Sequence, residues 1–236
     1  MIELLNIDCM EYMSTQPDNA FDLAVVDPPY GLGEAGKRSG TRGSKGKARK
    51  FWGSKNTCGT AIKPTVFADK DWDNEPPPVE YFVELRRVSK NQIIFGANHF
   101  IDRINLPSPC WIVWDKDNGT SNFADCELAY TSFKTAVRTV KFTWNGMLQG
   151  DMKNKEIRIH PTQKPVWLYR WILENYAKPG QRILDTHLGS GSSAIAAHYF
   201  GVDFVGCEKE SDYYADTCNR FDRDTAQIDI FAGGVA

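Results

Sequence analysis

The sequence predicts one α/β domain with a mostly parallel sheet, and three observations carry this prediction. Apolar runs of strand length alternate with segments of helical periodicity, two such β-α blocks flank a middle that is richer in strands, and 236 residues give room for one well-cored domain. Strands that alternate with helices usually pair in parallel. We therefore predict a single domain over residues 1–223 and a short tail over 224–236.

The first block lies at the N-terminus. An apolar strand pattern at 2–7 precedes a short helical pattern at 9–14, and a second apolar run at 21–26 ends at Asp27. A glycine-rich segment over 31–75 follows this block. We expect the block to form a parallel strand-helix-strand unit whose second strand is buried on both faces.

The remaining elements continue the alternation of strands and helices. Residues 136–144 alternate between polar and apolar side chains, which predicts an antiparallel ribbon. In order, the other predicted elements are a helix at 79–88, strands at 92–95, 111–114 and 127–131, a helix at 165–176, a strand at 182–184, a helix at 192–200, a strand at 204–207 and a helix at 211–221.

Composition argues against several classes of protein. No apolar run approaches the ~20 residues that cross a bilayer, and the N-terminus lacks the pattern of a signal peptide, so we expect a cytoplasmic protein. The six cysteines contain no Cys-x-x-Cys pair, so neither zinc-ribbon spacing nor a disulfide framework is indicated. We therefore expect reduced thiols and no metal site.

Basic residues are concentrated in the segment 31–75, although the net charge of the chain is only −2. Glycines separate these basic residues, which predicts a flexible loop that grips the phosphates of a nucleic acid. A solvated loop without that role is the alternative interpretation. The candidate contacts are Lys37, Arg38, Arg42, Lys45, Lys47, Arg49 and Lys50.

The strongest motif is the tetrapeptide Asp27-Pro28-Pro29-Tyr30, which directly follows a buried strand. The carboxyl edge of a parallel sheet is where α/β enzymes bind their ligands, and two prolines fix the backbone there. The Asp27 carboxylate and the Pro28 carbonyl can accept the two hydrogens of an amino group, and the Tyr30 ring can stack on a planar base. A structural proline turn is the weaker alternative.

A glycine turn between a predicted strand and helix forms the second motif. Asp185 ends the strand, and Gly189, Ser190 and Gly191 allow a nucleoside to approach the backbone closely. Glu208 ends the next strand and can accept hydrogen bonds from ribose hydroxyls. Gly-x-Gly-x-x-Ala alone is weak evidence, but the acid at this position strengthens it.

Two further features complete the candidate site. Residues 160–165 read His-Pro-Thr-Gln-Lys-Pro and precede a predicted helix, in which Thr162 or Pro165 could simply belong to an ordinary helix start. Asp8 follows the first strand and fits a helix N-cap as well as a ligand contact.

Together these motifs resemble the DNA amino-methyltransferases, whose catalytic motif is Asp/Asn/Ser-Pro-Pro-Tyr/Phe/Trp. The catalytic tetrapeptide precedes the glycine turn, an order similar to that of the β class. The resemblance covers most of residues 2–221 and implies a circularly permuted, Rossmann-like fold with a mostly parallel seven-stranded sheet and one antiparallel strand.

The resemblance also implies a cofactor, S-adenosylmethionine, and a role for each motif. Thr186 and His187 depart from the usual Pro-Phe pair of the cofactor loop, so His187 is only a candidate contact. Lys164 is expected to neutralise the methionine carboxylate. The implied catalytic residues are Asp27, Pro28, Pro29 and Tyr30; the implied cofactor residues are Asp8, Asp27, His160, Thr162, Lys164, Asp185, His187, Gly189, Ser190, Gly191 and Glu208.

The expected reaction is methylation of N6 of a flipped-out adenine within a short specific sequence of double-stranded DNA. Methylation of cytosine N4 uses the same chemistry and remains open, and an NAD-binding oxidoreductase is a more remote alternative. The polar segment 136–160 is expected to recognise the target sequence. A homodimer is also left open.

The tail contains Gln227-Ile228-Asp229-Ile230-Phe231, which resembles the peptide that binds the bacterial sliding clamp. Gln227, Ile228, Ile230 and Phe231 would be the contact residues. Packing of this peptide on the protein's own surface is the alternative.

Overall fold

The computed structural model describes residues 1–33, 72–118, 124–145 and 148–226. The strands are β1 Ile2–Leu5, β2 Leu23–Val26, β3 Gln92–Phe95, β4 Trp111–Asp115, β5 Cys126–Thr131, β6 Arg138–Lys141, β7 Trp144–Asn145, β8 Leu148–Gln149, β9 Arg182–Asp185 and β10 Asp203–Cys207. The helices are α1 Cys9–Ser14, α2 Val79–Val88, α3 Ile101–Ile104, α4 Val166–Tyr176, α5 Ser192–Phe200 and α6 Ser211–Thr225.

The described strands form one large sheet and one small hairpin. The large sheet has the order β1-β10-β9-β2-β3-β5-β4-β6, and β7 pairs with β8 outside it. Strand β5 is antiparallel to both of its neighbours, whereas the other neighbouring pairs are parallel. The predicted mostly parallel sheet with one antiparallel strand is confirmed.

The prediction of a seven-stranded sheet is wrong, because the described sheet has an eighth strand at one edge. Strand β6 adds an eighth strand to the sheet and runs parallel to β4, with Ile112 opposite Arg138. The predicted antiparallel ribbon over 136–144 is therefore also wrong. Polar-apolar alternation identifies a strand with one buried face, but it does not encode the direction of the partner strand.

The arrangement of β2 and β9 positions the candidate site. These strands are adjacent and parallel, with Leu23 opposite Ile183, although they lie far apart in the sequence. Asp27 follows β2 and Asp185 ends β9, so both reach the same edge of the sheet. The predicted neighbourhood of these two strand ends is confirmed.

Helices cover both faces of the sheet, as an α/β sheet with apolar faces requires. On one face, β-strand residues such as Ile93 pack with Leu168 and Ile172 of α4. On the other, Ile94 packs with Phe82 and Leu85 of α2. Burying each such side chain contributes about 1.5–3 kcal/mol, which makes the sheet a rigid platform for the loops at its edge. No helix among the described residues is long and apolar enough to span a membrane.

Candidate active site

A cavity of about 600 Å³ opens at the carboxyl edge of the sheet. Asp27 and Gly189, which belong to different motifs, both line it. Pro28, Tyr30, Asp185 and Gly191 do not line it but adjoin residues that do. The sequence-predicted residues in the lining are Asp8, Asp27, Pro29, His160, Thr162, Lys164, His187, Gly189, Ser190 and Glu208.

The glycine turn at the end of β9 depends on left-handed backbone. Gly191 has φ +74°, and an added Cβ would lie 2.6 Å from Cγ2 of Thr217. A side chain there would meet both backbone strain and a clash, so this position requires glycine. At Gly189 (φ +53°) an added Cβ would instead project toward the His160 ring, 3.8 Å away. The absence of that Cβ widens the cavity.

The Asp185 side chain stabilises the glycine turn through hydrogen bonds. Its carboxylate accepts hydrogen bonds from the backbone N–H of His187 at 3.0 Å and from the Ser193 hydroxyl at 2.6 Å. Burial raises the pKa of Asp185 to about 7. Burial also lowers the pKa of His187 to about 4, so this imidazole is neutral near pH 7. Asp185 therefore supports the loop and His187 presents a neutral ring to the cavity.

Two acids, Asp8 and Glu208, also line the cavity. Oε2 of Glu208 accepts a hydrogen bond from the Gly189 N–H at 2.8 Å, which fixes the carboxylate beside the turn. Asp8 caps helix α1 by accepting from the Met10 N–H at 2.8 Å, and it pairs with Lys209 at 3.1 Å. Asp8 thus caps the helix and also lines the cavity, and its contact with a ligand stays a prediction.

The catalytic tetrapeptide forms a turn that a distant residue holds. One carboxylate oxygen of Asp73 accepts from the backbone N–H groups of Tyr30, at 2.8 Å, and Gly31, at 3.0 Å. The Tyr30 hydroxyl donates to Oδ1 of Asp27 at 2.7 Å, and its ring stacks on His99 with 5.2 Å between centroids. A hydrogen bond therefore joins Asp27 and Tyr30 in this structure.

Close packing of Tyr30 against Gly96 gives a first prediction. Gly96 has φ +67°, and an added Cβ would lie 2.1 Å from the Tyr30 ring. We expect Gly96→Ala to lower the free energy of unfolding by about 1–3 kcal/mol through strain and overpacking. Gly201→Ala is the matched control, because Gly201 has φ +82° and nothing within 4 Å of the added Cβ.

Denaturant unfolding of both variants measures the contribution of Tyr30. In Gly201→Ala, the free energy of unfolding should fall by only about 1 kcal/mol, the cost of backbone strain alone. The additional loss in Gly96→Ala should vanish when Tyr30 is also replaced by alanine. Equal losses for the two glycine variants would show that Tyr30 does not pack as described.

Lys164 lies between two carboxylates. Its ammonium forms an ion pair with Oδ2 of Asp27 and a second with Oε2 of Glu127, at 3.2 Å. It also donates to the Tyr30 hydroxyl at 3.0 Å. The expected contact between Lys164 and a cofactor carboxylate stays a prediction. In the structure this ammonium is already engaged by protein groups.

Several residues at the site were missed in the sequence analysis. Glu127 is an acid within the otherwise largely apolar strand β5, a signal that could have indicated it. Trp72 packs on His160, with 5.2 Å between ring centroids, and the Tyr213 ring meets the His160 ring edge to face, with 4.5 Å between centroids. Nothing in the local sequence around Trp72 or Tyr213 indicates these contacts.

Two groups of predicted contacts lie outside the described residues. They are the basic residues Lys37, Arg38, Arg42, Lys45, Lys47, Arg49 and Lys50, and the tail residues Gln227, Ile228, Ile230 and Phe231. These contacts remain predictions.

Known proteins are similar to this chain in sequence and in fold. Residues 127–219 match a protein-family model described as a DNA methylase. The chain is 25% identical over 258 residues to the type II methyltransferase M.HinfI of Haemophilus influenzae, with 89% of this chain and 65% of the relative aligned. It is 26% identical over 241 residues to the type II methyltransferase M2.MboI of Moraxella bovis, with 87% and 82% aligned. The chain is thus similar in sequence to these type II methyltransferases.

Solved structures of DNA methyltransferases have the same fold. M1.HpyAVI in complex with S-adenosylmethionine superposes with a TM-score of 0.54 at 19% identity, covering 93% of this chain and 98% of that one. The cytosine-N4-specific PvuII DNA methyltransferase superposes with a TM-score of 0.58 at 10% identity, covering 93% and 86%. The fold is therefore that of an S-adenosylmethionine-dependent DNA methyltransferase. The chain spans slightly less than two thirds of the length of M.HinfI.

Proposed function

We propose that this chain is an S-adenosylmethionine-dependent DNA methyltransferase that methylates an exocyclic amine, N6 of adenine. The observation that carries the proposal is the single cavity lined by both Asp27 and the turn at Gly189. A group that accepts amine hydrogens and a loop suited to a nucleoside thus face the same space. Relationship to type II methyltransferases supports DNA as the substrate.

The cavity fits S-adenosylmethionine. Glu208 and Asp8 offer carboxylates at one end, where ribose hydroxyls and an adenine amine need acceptors. Gly189 leaves open space beside His160, whose ring also contacts the rings of Trp72 and Tyr213. The bound cofactor supplies a methyl group on a cationic sulfur, which is already activated for transfer.

The contribution of the protein is positioning and electrostatics. An exocyclic amine is a poor nucleophile, because its lone pair is delocalised into the base. In the proposal, the Asp27 carboxylate and the Pro28 carbonyl each accept one amine hydrogen and direct the lone pair toward the methyl group. The base must first leave the duplex, which costs a few kcal/mol, and stacking on Tyr30 recovers part of this.

The Tyr30 hydroxyl donates to the same carboxylate oxygen that we propose for an amine hydrogen. It donates to Oδ1 of Asp27 at 2.7 Å, the contact that an amine hydrogen of the target base would make. Entry of the base therefore replaces one hydrogen-bond donor with another on the same oxygen. Asp27 thus keeps a donor both with and without substrate, which avoids a buried unsatisfied carboxylate.

The choice of adenine rests on the first residue of the motif, because Asp in the resembled family favours adenine and Ser favours cytosine. N4-cytosine methylation is the second candidate, since the PvuII enzyme with this fold is specific for cytosine N4.

A methyl-transfer assay tests the function. The purified chain is incubated with methyl-labelled S-adenosylmethionine and duplex DNA, single-stranded DNA or RNA, and the products are digested to nucleosides. We expect label in DNA as N6-methyladenine, and sequencing of the product then gives the recognition sequence. N4-methylcytosine would retain the mechanism but change the base. Label in 5-methylcytosine, or none in any nucleic acid, would contradict the proposal.

The remaining proposals concern macromolecular contacts. We propose that the basic residues between Lys37 and Lys50 contact DNA phosphates, and that 136–160 contributes to sequence recognition. An enzyme acting on cellular DNA is expected in the bacterial cytoplasm, and assembly as a homodimer is part of the proposal. The tail from Gln227 is proposed to bind the sliding clamp; deletion of 227–236 should abolish capture of purified clamp, and undiminished capture would reject this contact.

A further inference from the structure

We propose that Lys164 is a positioning residue for Asp27, and that Glu127 shares the Lys164 charge so that Asp27 stays available to the target amine. This inference rests on the proposed function. It assigns Lys164 to the amine-binding end of the cavity, in place of the cofactor carboxylate expected from the sequence. It also assigns a role to Glu127, which the sequence motifs did not indicate.

The geometry fixes the Lys164 ammonium on three sides. Its partners are Oδ2 of Asp27, Oε2 of Glu127 at 3.2 Å and the Tyr30 hydroxyl at 3.0 Å. The contact with the Tyr30 hydroxyl is a hydrogen bond, whereas the contacts with Asp27 and Glu127 are ion pairs, and Oε2 of Glu127 accepts no hydrogen bond from the described residues. The Phe95 ring lies 4.8 Å from the nitrogen, and the Lys164 side chain is only 4% exposed. The ammonium therefore has one well-defined position.

The partners come from different parts of the fold. Asp27 follows β2, Glu127 lies on the antiparallel strand β5, and Lys164 immediately precedes the start of α4. Because β5 runs opposite to its neighbours, its N-terminal end reaches the edge where β2 ends. The antiparallel strand thus brings Glu127 to the catalytic turn.

Charges alternate along this set of residues. Lys116 pairs with Oε1 of Glu127, so the order is Asp27, Lys164, Glu127 and Lys116, with two carboxylates and two ammonium groups. If Lys164 were paired with Asp27 alone, protonation of Asp27 would leave a buried ammonium without a counter-charge. An unpaired buried charge costs several kcal/mol of free energy. Glu127 prevents this, because it holds Lys164 whatever the state of Asp27.

Opposing charges act on Asp27 within this network. Burial raises the pKa of Asp27, Lys164 lowers it, and Glu127 raises it. Burial opposes the charge of Glu127, yet Lys164 and Lys116 lower the pKa of Glu127 to about 2, so Glu127 stays ionised. Lys164 thus favours the carboxylate form of Asp27, and Glu127 limits this effect.

The network fits the proton balance of methyl transfer. The amine nitrogen forms a bond to the methyl carbon while the carbon-sulfur bond breaks and sulfur takes the electron pair. The methylated nitrogen then loses a proton to Asp27, whose carboxylate becomes a carboxylic acid until solvent removes the proton. Lys164 keeps its own proton throughout and remains paired with Glu127 during the step in which Asp27 is neutral.

Lys164→Met and Glu127→Gln test the inference through shifts of opposite sign. Asp27 must be ionised to accept the amine hydrogen, so its pKa sets the acid limb of the kcat-pH profile. Loss of Lys164 should move this limb to higher pH by about one unit or more, and loss of the Glu127 charge should move it to lower pH. Among the described residues, the other titratable groups that face Asp27 are Tyr30, Tyr169 and Asp185, and they are unchanged in both variants.

The affinity for S-adenosylmethionine shows whether Lys164 positions Asp27 or contacts the cofactor directly. Calorimetry should give a Kd for S-adenosylmethionine within about threefold of wild type for Lys164→Met, whereas kcat at pH 7 should fall about tenfold or more. Lys178→Met is the matched control, since Lys178 is exposed near the end of α4. It should leave Kd, kcat and the pH profile unchanged.

A second measurement needs no turnover. The ¹³C-carboxyl NMR titration of Asp27 should show the same two opposite shifts in the variants, even if wild-type protein methylates none of the nucleic acids tested. An inactive wild type would therefore reject the proposed function but leave this inference to be judged by the titration. Should Lys164→Met fail to fold, the sign of the shift in the near-isosteric Glu127→Gln decides.

Two results would overturn the inference. One is a loss of S-adenosylmethionine affinity beyond about tenfold in Lys164→Met with no shift of the acid limb, because Lys164 would then act on the cofactor. The other is a shift of the Asp27 titration in the same direction in both variants, or in neither.

Discussion

Asp27→Ala should lower the rate of methyl transfer by about 10²- to 10³-fold, the range found when one transition-state hydrogen-bond partner is removed. The carboxylate is the only proposed acceptor for one of the two amine hydrogens, and alanine cannot replace it. Lys164 remains paired with Glu127 in this variant, so the fold should persist. S-adenosylmethionine should bind within about threefold of wild type, because the carboxylates of Glu208 and Asp8 and the glycine turn are untouched.

Single-turnover methylation of duplex DNA and calorimetry with the cofactor measure the two expectations separately. Asp216→Ala is the control, since Asp216 is an exposed aspartate on α6. It should match wild type in both measurements. Near-normal turnover by Asp27→Ala would remove the proposed mechanism, and a parallel loss of cofactor binding would place Asp27 in the cofactor site instead.

The second large effect is expected at Arg220, a guanidinium on α6 that is 1% exposed. It donates to the Ser190 carbonyl and the Ser192 hydroxyl, both at 2.9 Å, and forms an ion pair with Glu156 at 2.7 Å. The other oxygen of Glu156 accepts from the Val166 N–H at the start of α4. Arg220 therefore links the glycine turn after β9 to the segment that carries Lys164.

Arg220→Met should lower the free energy of unfolding by about 3 kcal/mol, because it leaves Glu156 and the Ser190 carbonyl without this partner. S-adenosylmethionine affinity should also fall, since the turn beside Glu208 loses its support. Arg223→Met is the matched control on the same helix, because Arg223 is half exposed and pairs only with Asp224 among the described contacts. Denaturant unfolding with and without cofactor distinguishes the variants, and equal stability of the two would contradict the assigned role of Arg220.

Local sequence patterns were sufficient to predict the strands and the glycine turn that border the cavity. Buried apolar runs ending in Asp27 and Asp185 predicted parallel strands, and the structure pairs those strands. The glycine turn could be predicted because a left-handed backbone, as at Gly191, strongly favours glycine. These features depend on residues close together in the chain.

Contacts between distant residues could not be predicted in the same way. Glu127 reaches Lys164 because β5 is antiparallel, and strand direction is not encoded in the alternation of side chains. Arg220 looks like one charge on an amphipathic helix, yet the fold buries it beneath Ser190. Asp73 supports the Tyr30 turn across 43 residues, without any motif that joins them.

In the proposed reaction, Asp27 and the methyl donor face each other in one cavity. A crystal structure of the protein with a nonreactive S-adenosylmethionine analogue tests this arrangement. We expect the ribose hydroxyls at Glu208 and the position of the transferable methyl on the side of the cavity that Asp27 lines. An analogue bound elsewhere, or one whose methyl position points away from Asp27, would rule out this mechanism.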